Sequence, residues 1–333
     1  MESSLPLPAP FIRPRRNRRY AWLRNLVAEH RLESSDLVYP LFVTELKGRH
    51  DVASLPGVAR LDVEELLREI EKAAMAGIGA IALFPVIPME RKNATAEEAW
   101  RDDNLLHRAI RAVKRRFPEI GIITDVALDP YTDHGHDGLL IGDDIDNDRT
   151  LVALARQAVA QAEAGTDIVA PSDMMDGRIR AVRHALDAAH FTQTGILSYA
   201  AKYASGFYGP FREAVGSARS IGKASKRTYQ MDFRNGTEAI RESLLDIEEG
   251  ADILLVKPGL PYLDIIYRVK QACHLPIFTY QVSGEYAMLK AAASQQFIEY
   301  DACLLESLLA FRRAGADAVF TYAALEAALL LKA

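Results

Sequence analysis

Glu249-Gly250-Ala251-Asp252-Ile253-Leu254-Leu255-Val256-Lys257 is a phrase that the chain repeats. Ala76-Gly77-Ile78-Gly79-Ala80-Ile81-Ala82-Leu83-Phe84 and Ala164-Gly165-Thr166-Asp167-Ile168-Val169-Ala170-Pro171 precede it, and Ala314-Gly315-Ala316-Asp317-Ala318-Val319-Phe320-Thr321-Tyr322 follows. Each copy comes after a stretch of helical periodicity, at residues 63–75, 150–163, 237–248 and 304–313. The glycine suits a helix C-cap, and the short apolar run after it suits a strand buried on both faces. Four more apolar runs, at residues 37–43, 121–128, 195–200 and 276–282, complete a set of eight candidate strands. Strands alternating with helices predict a parallel sheet. Eight such units predict an α/β chain closed into a (β/α)8 TIM barrel. An open doubly wound sheet is the alternative, but no G-x-G-x-x-G follows the first strand to support it.

The 333 residues are 49% hydrophobic and 26% charged, the balance of a soluble globular protein. A net charge of -5 gives no field that would draw the chain to nucleic acid or to an anionic membrane. No apolar run approaches the roughly 20 residues of a membrane span. The N-terminus also lacks the apolar core of a secretory signal. The two cysteines, Cys273 and Cys303, have no metal-ligand spacing, and the expectation is a reducing, cytoplasmic setting. Residues 1–30 are basic (Arg13, Arg15, Arg16, Arg18, Arg19, Arg24) and rich in proline (Pro6, Pro8, Pro10, Pro14). They read as an extended arm for contacts between subunits, although a basic start also occurs in transit peptides and nucleic-acid arms. Residues 31–333 read as one barrel domain, with a long Gly-, Ser- and Arg/Lys-rich stretch at about 205–235 placed as a lid.

Barrels of this kind carry their chemistry at the C-terminal ends of the strands. The third strand delivers Asp125 and Asp129, the fourth Ser172 and Asp173, and the fifth Tyr199 and Lys202. The sixth delivers Lys257, the seventh Tyr280, Gln281 and Ser283, and the eighth Tyr322. A lysine closing an apolar strand is poorly hydrated, and a second ammonium beside it further disfavours the charged form. The resulting neutral amine attacks a carbonyl carbon and forms a Schiff base. One such lysine could simply reach solvent, but two on adjacent strands facing aspartates point to a functional site. Residues 124–138 add Asp125, Asp129, Asp133 and Asp137 at intervals of four, with His134 and His136 among them, a density that suits a cation site or proton transfer. Arg212, Arg219, Lys223, Lys226 and Arg227 in the lid could grip a carboxylate or phosphate.

These motifs resemble the porphobilinogen synthase (5-aminolevulinate dehydratase) family over nearly the whole chain. The resemblance rests on residues 13–19, 55–58, 125–138, 170–178, 198–205, 208–212, 229–232, 256–259 and 280–286 taken together. It implies an octamer of barrels whose N-terminal arms wrap neighbouring subunits. It also implies condensation of two 5-aminolevulinate molecules to porphobilinogen, an early step of tetrapyrrole and haem biosynthesis. By the same resemblance Lys257 holds the first substrate molecule as a Schiff base and Lys202 engages the second. Ser283 and Tyr322 hold the carboxylate of the first molecule, and Arg212 and Lys226 that of the second. Gln230, Tyr199 and Tyr280 line the substrate, and Asp125 handles protons or positions an amine.

Zinc-dependent members of that family carry three cysteines where this chain has Ala127, Asp129 and Asp137. Carboxylates suit harder ions than the thiolates of a zinc site, which argues against catalytic Zn²⁺ here. The resemblance instead implies an allosteric Mg²⁺ at a subunit interface, with Glu242 as its protein ligand. A monovalent cation near Asp129, or another divalent ion beside Asp133 and His136, stays open. Two other functions compete: a class I aldolase-like barrel, which needs one Schiff-base lysine rather than two, and a non-catalytic barrel that binds a small acid and has no use for either.

Overall fold

The computed structural model describes residues 12–142, 144–215 and 225–332, with the side chain of Arg212 left outside. The chain divides into two units, residues 1–31 and 32–333. In the first, a single 3-10 turn (Pro14–Arg18) leads into a short helix (Ala21–Leu26), neither of which buries a residue. Tyr20 and Trp22 stack there with their rings 6.0 Å apart.

The second unit is the barrel. Its strands are β1 (Leu37–Thr44), β2 (Ala80–Val86), β3 (Gly121–Val126), β4 (Ile168–Pro171), β5 (Gly195–Lys202), β6 (Ile253–Lys257), β7 (Ile277–Gln281) and β8 (Ala318–Thr321). Each pairs in parallel with the next, and β8 pairs with β1 through Val319–Leu37 and Phe320–Val38, which closes the ring. The helices are α1 (Val63–Ala76), α2 (Leu105–Arg116), α3 (Asn147–Ala164), α4 (Arg178–Ala188), α5 (Thr237–Glu248), α6 (Leu263–Ala272), α7 (Tyr300–Ala314) and α8 (Ala324–Leu330). An additional helix, Ser283–Ser294, starts immediately after β7. All eight expected strands are present. Some ends differ from the sequence reading, two of them beside the site: β3 stops at Val126, after Asp125 and before Asp129, and β5 continues to Lys202.

The repeated phrase has a physical basis at each of its positions. Gly77, Gly165 and Gly315 cap α1, α3 and α7 in the left-handed region, at φ of 89°, 108° and 109°. The aspartate two residues later closes an open strand end. Asp167 accepts the N–H of Ile122, Asp252 that of Ile196, and Asp317 that of Ile277, each at 2.7 Å. The first copy has Gly79 at this position and no carboxylate; its carbonyl accepts from Gly121 of the following strand at 2.9 Å, as that of Asp167 does from Gly195 at 3.0 Å. Without these carboxylates the N–H groups of Ile122, Ile196 and Ile277, at the starts of β3, β5 and β7, would lose their acceptors.

Between β1 and α1 a small hairpin (Arg49–Asp51 with Ala59–Leu61) reaches toward the lid. Arg60 donates from Nε to the carbonyl of Ala214 at 2.7 Å and from Nη2 to that of Glu213 at 2.6 Å. These carbonyls end the short lid helix Gly209–Ala214, so the guanidinium caps it. The expected lid thus contains a turn at Gly206–Tyr208, this helix, and a turn at Lys226–Thr228. Arg219 and Lys223 lie outside the described residues.

Candidate active site

Lys257 ends β6 and Lys202 ends β5, and the two are register partners across the sheet. The pairing depends on an irregularity. Leu254 pairs with Ser198, but Val256 pairs with Ala201, so β5 spends one residue more than β6 over this span. Ser198 faces outward, where its hydroxyl donates to Asp246 of α5 at 2.5 Å. Strict alternation would send Lys202, four residues on, to that same outer face. The extra residue turns it inward beside Lys257.

Lys257 is buried in an aromatic box. Its Nζ lies 4.4 Å from the ring centre of Tyr280, 5.2 Å from Tyr199, 5.3 Å from Phe211 and 5.5 Å from Tyr208. Among the described residues it has neither a hydrogen bond nor a carboxylate within ion-pair distance. Burial, reinforced by the charge of Lys202, pulls its pKa down to about 7. Lys202 has partners: it donates to the carbonyl and hydroxyl oxygens of Ser172, and Asp137 Oδ1 lies 3.8 Å away. The two lysines therefore differ in electrostatic environment, a distinction that residue type alone does not make.

The aspartates do not all point the same way. Asp125, Asp129 and Asp137 line the cavity, while Asp133 is exposed. Burial pushes Asp125 up to about 6 against the pull of Lys202 and Lys257, and its Oδ1 has no hydrogen-bond partner. Asp129 and Asp137 share the lid lysine: Lys226 Nζ is 3.1 Å from Asp129 Oδ2 and 2.9 Å from Asp137 Oδ2. Burial raises the pKa of Asp129, with Asp137 adding to the rise. Burial also pushes on Asp137, but there Lys202 and Lys226 outweigh it and hold the carboxyl below its usual range. No three His, Cys, Asp or Glu side chains converge into a metal-holding group among the described residues.

The other expected residues divide. Lys226, Gln230, Tyr280, Ser283 and Tyr322 line the cavity with the lysines. Tyr322 and Tyr280 sit with their hydroxyls 3.2 Å apart. The hydroxyl of Ser283 accepts from Phe211 N at 3.0 Å and donates to the Phe207 carbonyl at 3.4 Å, so it fastens the root of the lid. Tyr199 lies under both lysines as a ring surface. Arg212 lies on the lid helix, its side chain outside the described part. Glu242 is on α5, on the outer layer and away from the lysine pair. Asp173 and Gln281, also expected at strand ends, turn away: Asp173 accepts from Met175 N at 2.8 Å, and Gln281 bonds Ser307 and Thr321. Tyr208 and Phe211, which finish the box around Lys257, were not singled out for it, because aromatic residues in a basic loop carry no periodic signal.

The model of the family described as delta-aminolevulinic acid dehydratase matches residues 11–330. The chain belongs to this family. The dehydratase of Bradyrhizobium diazoefficiens is 54% identical over 318 residues, which cover 95% of this chain and 90% of that protein. The chloroplastic dehydratase of Glycine max is 50% identical, covering 98% of this chain and 78% of its own. The crystal structure of the Toxoplasma gondii dehydratase in complex with its reaction product porphobilinogen superposes with a TM-score of 0.95 at 50% identity, covering 96% of this chain and 92% of that one. This dehydratase chain therefore shares fold and sequence with a relative seen holding its product.

Proposed function

We propose that this chain makes porphobilinogen from two molecules of 5-aminolevulinate, as a hydro-lyase of early tetrapyrrole biosynthesis, with Lys257 and Lys202 as its Schiff-base residues. The observation that carries the reading is the register pairing of the two lysines, one of them in an aromatic box with no carboxylate at ion-pair distance among the described residues. Near pH 7 about half of Lys257 is neutral amine, which adds to the keto carbon of one substrate and releases water. The Schiff base is protonated, and the faces of Tyr280, Tyr199 and Tyr208 stabilise its positive charge. Lys202 forms the second imine, releasing a second water. Loss of a proton from the carbon beside one imine gives an enamine, which attacks the other imine carbon. One lysine leaves as a free amine after carbon–carbon bond formation, and the other leaves when the substrate amine displaces it. Two waters are lost in all, and a last deprotonation makes the ring aromatic. Asp125, with a free oxygen and a pKa of about 6, is the proton acceptor nearest in character to this need.

Ser283 and Tyr322 receive the carboxylate of the first substrate, and Arg212 and Lys226 that of the second, with Gln230 beside them. Glu242 is half-buried, and burial together with Asp246, Asp176 and Glu238 raises its pKa against the pull of Arg178. Asp246 is taken up by Arg178 and Ser198, so Glu242 would be the one protein ligand, a hard oxygen donor that suits a Mg²⁺ ion keeping most of its waters. When bound, the ion supplies charge neutralisation to the acidic patch, away from the chemistry. The lysine already seated between Asp129 and Asp137 supports a reaction without catalytic zinc, and a monovalent cation near Asp129 would compete with that ammonium.

Dialysed protein is expected to form porphobilinogen from 5-aminolevulinate, with a rate that rises on adding Mg²⁺ and does not respond to Zn²⁺. Glu242→Ala is expected to lose the Mg²⁺ response and keep the metal-free rate. Restoration by zinc alone would contradict the metal assignment, and absence of product under every condition would contradict the activity.

A further inference from the structure

The buried carboxylate of Glu285 has no place in the chemistry above, yet its contacts reach the segments that matter most. It lies on the first turn of helix Ser283–Ser294, and its residue is 1% exposed. A glutamate there ordinarily satisfies the open N–H groups of its own helix, and Oε2 does accept from Val282 N at 2.7 Å. The carboxylate also leaves its own helix. Oε2 accepts from Gly259 N at 3.3 Å and Oε1 from Leu260 N at 2.5 Å. Gly259 and Leu260 form the turn that follows Lys257. One buried anion therefore ties the end of the lysine strand to the start of the helix carrying Ser283.

We propose that Glu285 is the positioning residue of the Schiff-base lysine, its carboxylate fixing the turn after Lys257 against the end of β7. Among the described residues three donors and no acceptor bond this side chain, a setting that favours the anion. A carboxamide would turn an N–H toward a backbone N–H, and a protonated acid an O–H. Burial outweighs the pull of the three N–H groups and leaves the carboxyl at about 7, so the anion depends on these contacts and is lost as pH falls below that value. The packing around the turn leaves little slack. A Cβ on Gly259 would come within 2.6 Å of the Phe311 ring, and one on Gly284 within 2.5 Å of the Phe207 carbonyl. The lid root stands on the same platform: the hydroxyl of Tyr208 donates to the Lys257 carbonyl at 3.3 Å, and Phe211 N to Ser283. Movement of the turn would shift Lys257 within its box and admit water. The amine would then regain its proton, since burial is the largest cause of its lowered pKa; of the charged groups that face it, Lys202 opposes the proton and Asp125, Asp129 and Asp137 favour it.

The test compares Glu285→Gln and Glu285→Asp with the unsubstituted protein, and rests on Lys257 being the residue trapped by borohydride with 5-aminolevulinate. Glu285→Gln is expected to lower kcat about tenfold to a hundredfold, with KM changed less than about threefold, and to raise the pH at which half of Lys257 is trapped. Glu285→Asp, which keeps the anion on a shorter arm, is expected to recover part of kcat and of the trapping midpoint. An unchanged midpoint, or a kcat loss that only follows the folded fraction seen by circular dichroism, overturns the proposal. Failure of both variants to fold overturns it too, because Glu285 would then serve the whole fold. Absence of any adduct in the unsubstituted protein contradicts the Lys257 reading itself, whereas an adduct there with unaltered variants contradicts only the role of Glu285.

Discussion

Lys257 and Lys202 are the same residue type on adjacent strands, and their surroundings set them apart. Among the described residues Lys257 has aromatic faces around it and no hydrogen-bond partner, whereas Lys202 has Ser172 and Asp137. With its pKa lowered to about 7, Lys257 is mostly neutral above that pH and mostly protonated below it. Schiff-base formation should therefore fall as pH drops through about 7, and the Asp125 carboxylate is lost in turn through about 6. Burial would still depress Lys257 without its neighbour, but the repulsion from Lys202 would vanish. Lys202→Met is thus expected to move the trapping midpoint of Lys257 upward, so that less adduct forms at pH 7; an unmoved midpoint would show that burial alone sets it. Both lysines and Asp125 were legible from the sequence, since each stands at the end of an apolar run. The pairing of Lys226 with Asp129 and Asp137 was not, because it joins residues about a hundred positions apart through a loop without periodicity.

At the scale of elements, the extra residue in β5 makes an active site from two strands that alternation alone would leave mismatched. No residue in Ser198-Tyr199-Ala200-Ala201-Lys202 announces it, since a bulge in an apolar strand needs no glycine. The sequence reading ended this strand at residue 200 for the same reason. The Gly-x-Asp repeat was visible as a pattern, but the service of its aspartate to the preceding strand appears only once the strands are neighbours. Asp252→Ala removes the acceptor of Ile196 N and is expected to cost about 1 kcal/mol, measured as a lower urea midpoint with an unchanged slope. A midpoint equal to that of the unsubstituted protein would mean that water replaces the carboxylate without loss.

For the whole molecule, four copies of the phrase and four further apolar runs were enough to predict a closed barrel, because a parallel strand buried on both faces has few other ways to be covered. Closure brings Tyr322, just after the last strand, against Phe42 of the first, with ring centres 5.9 Å apart. The arm is different. Its exposed Ile12, Trp22 and Leu26 find no burial within their own unit, as expected for a segment that covers another subunit. We propose on that basis that the arm makes contacts between subunits, in the homo-octamer that the family resemblance implies. Sedimentation should give the octamer mass for the full chain and a smaller assembly after removal of residues 1–30, whereas a full-length monomer would rule the proposal out.

The central claim, that Lys257 acts as a neutral nucleophile, is tested most directly by borohydride reduction in the presence of 5-aminolevulinate, followed by peptide mass mapping. The account predicts a reduced adduct on Lys257 that forms well at pH 8, falls to about half near pH 7 and is absent from Lys257→Met. An adduct confined to other residues, or trapping at Lys257 with the midpoint of an ordinary lysine near pH 10, would contradict it.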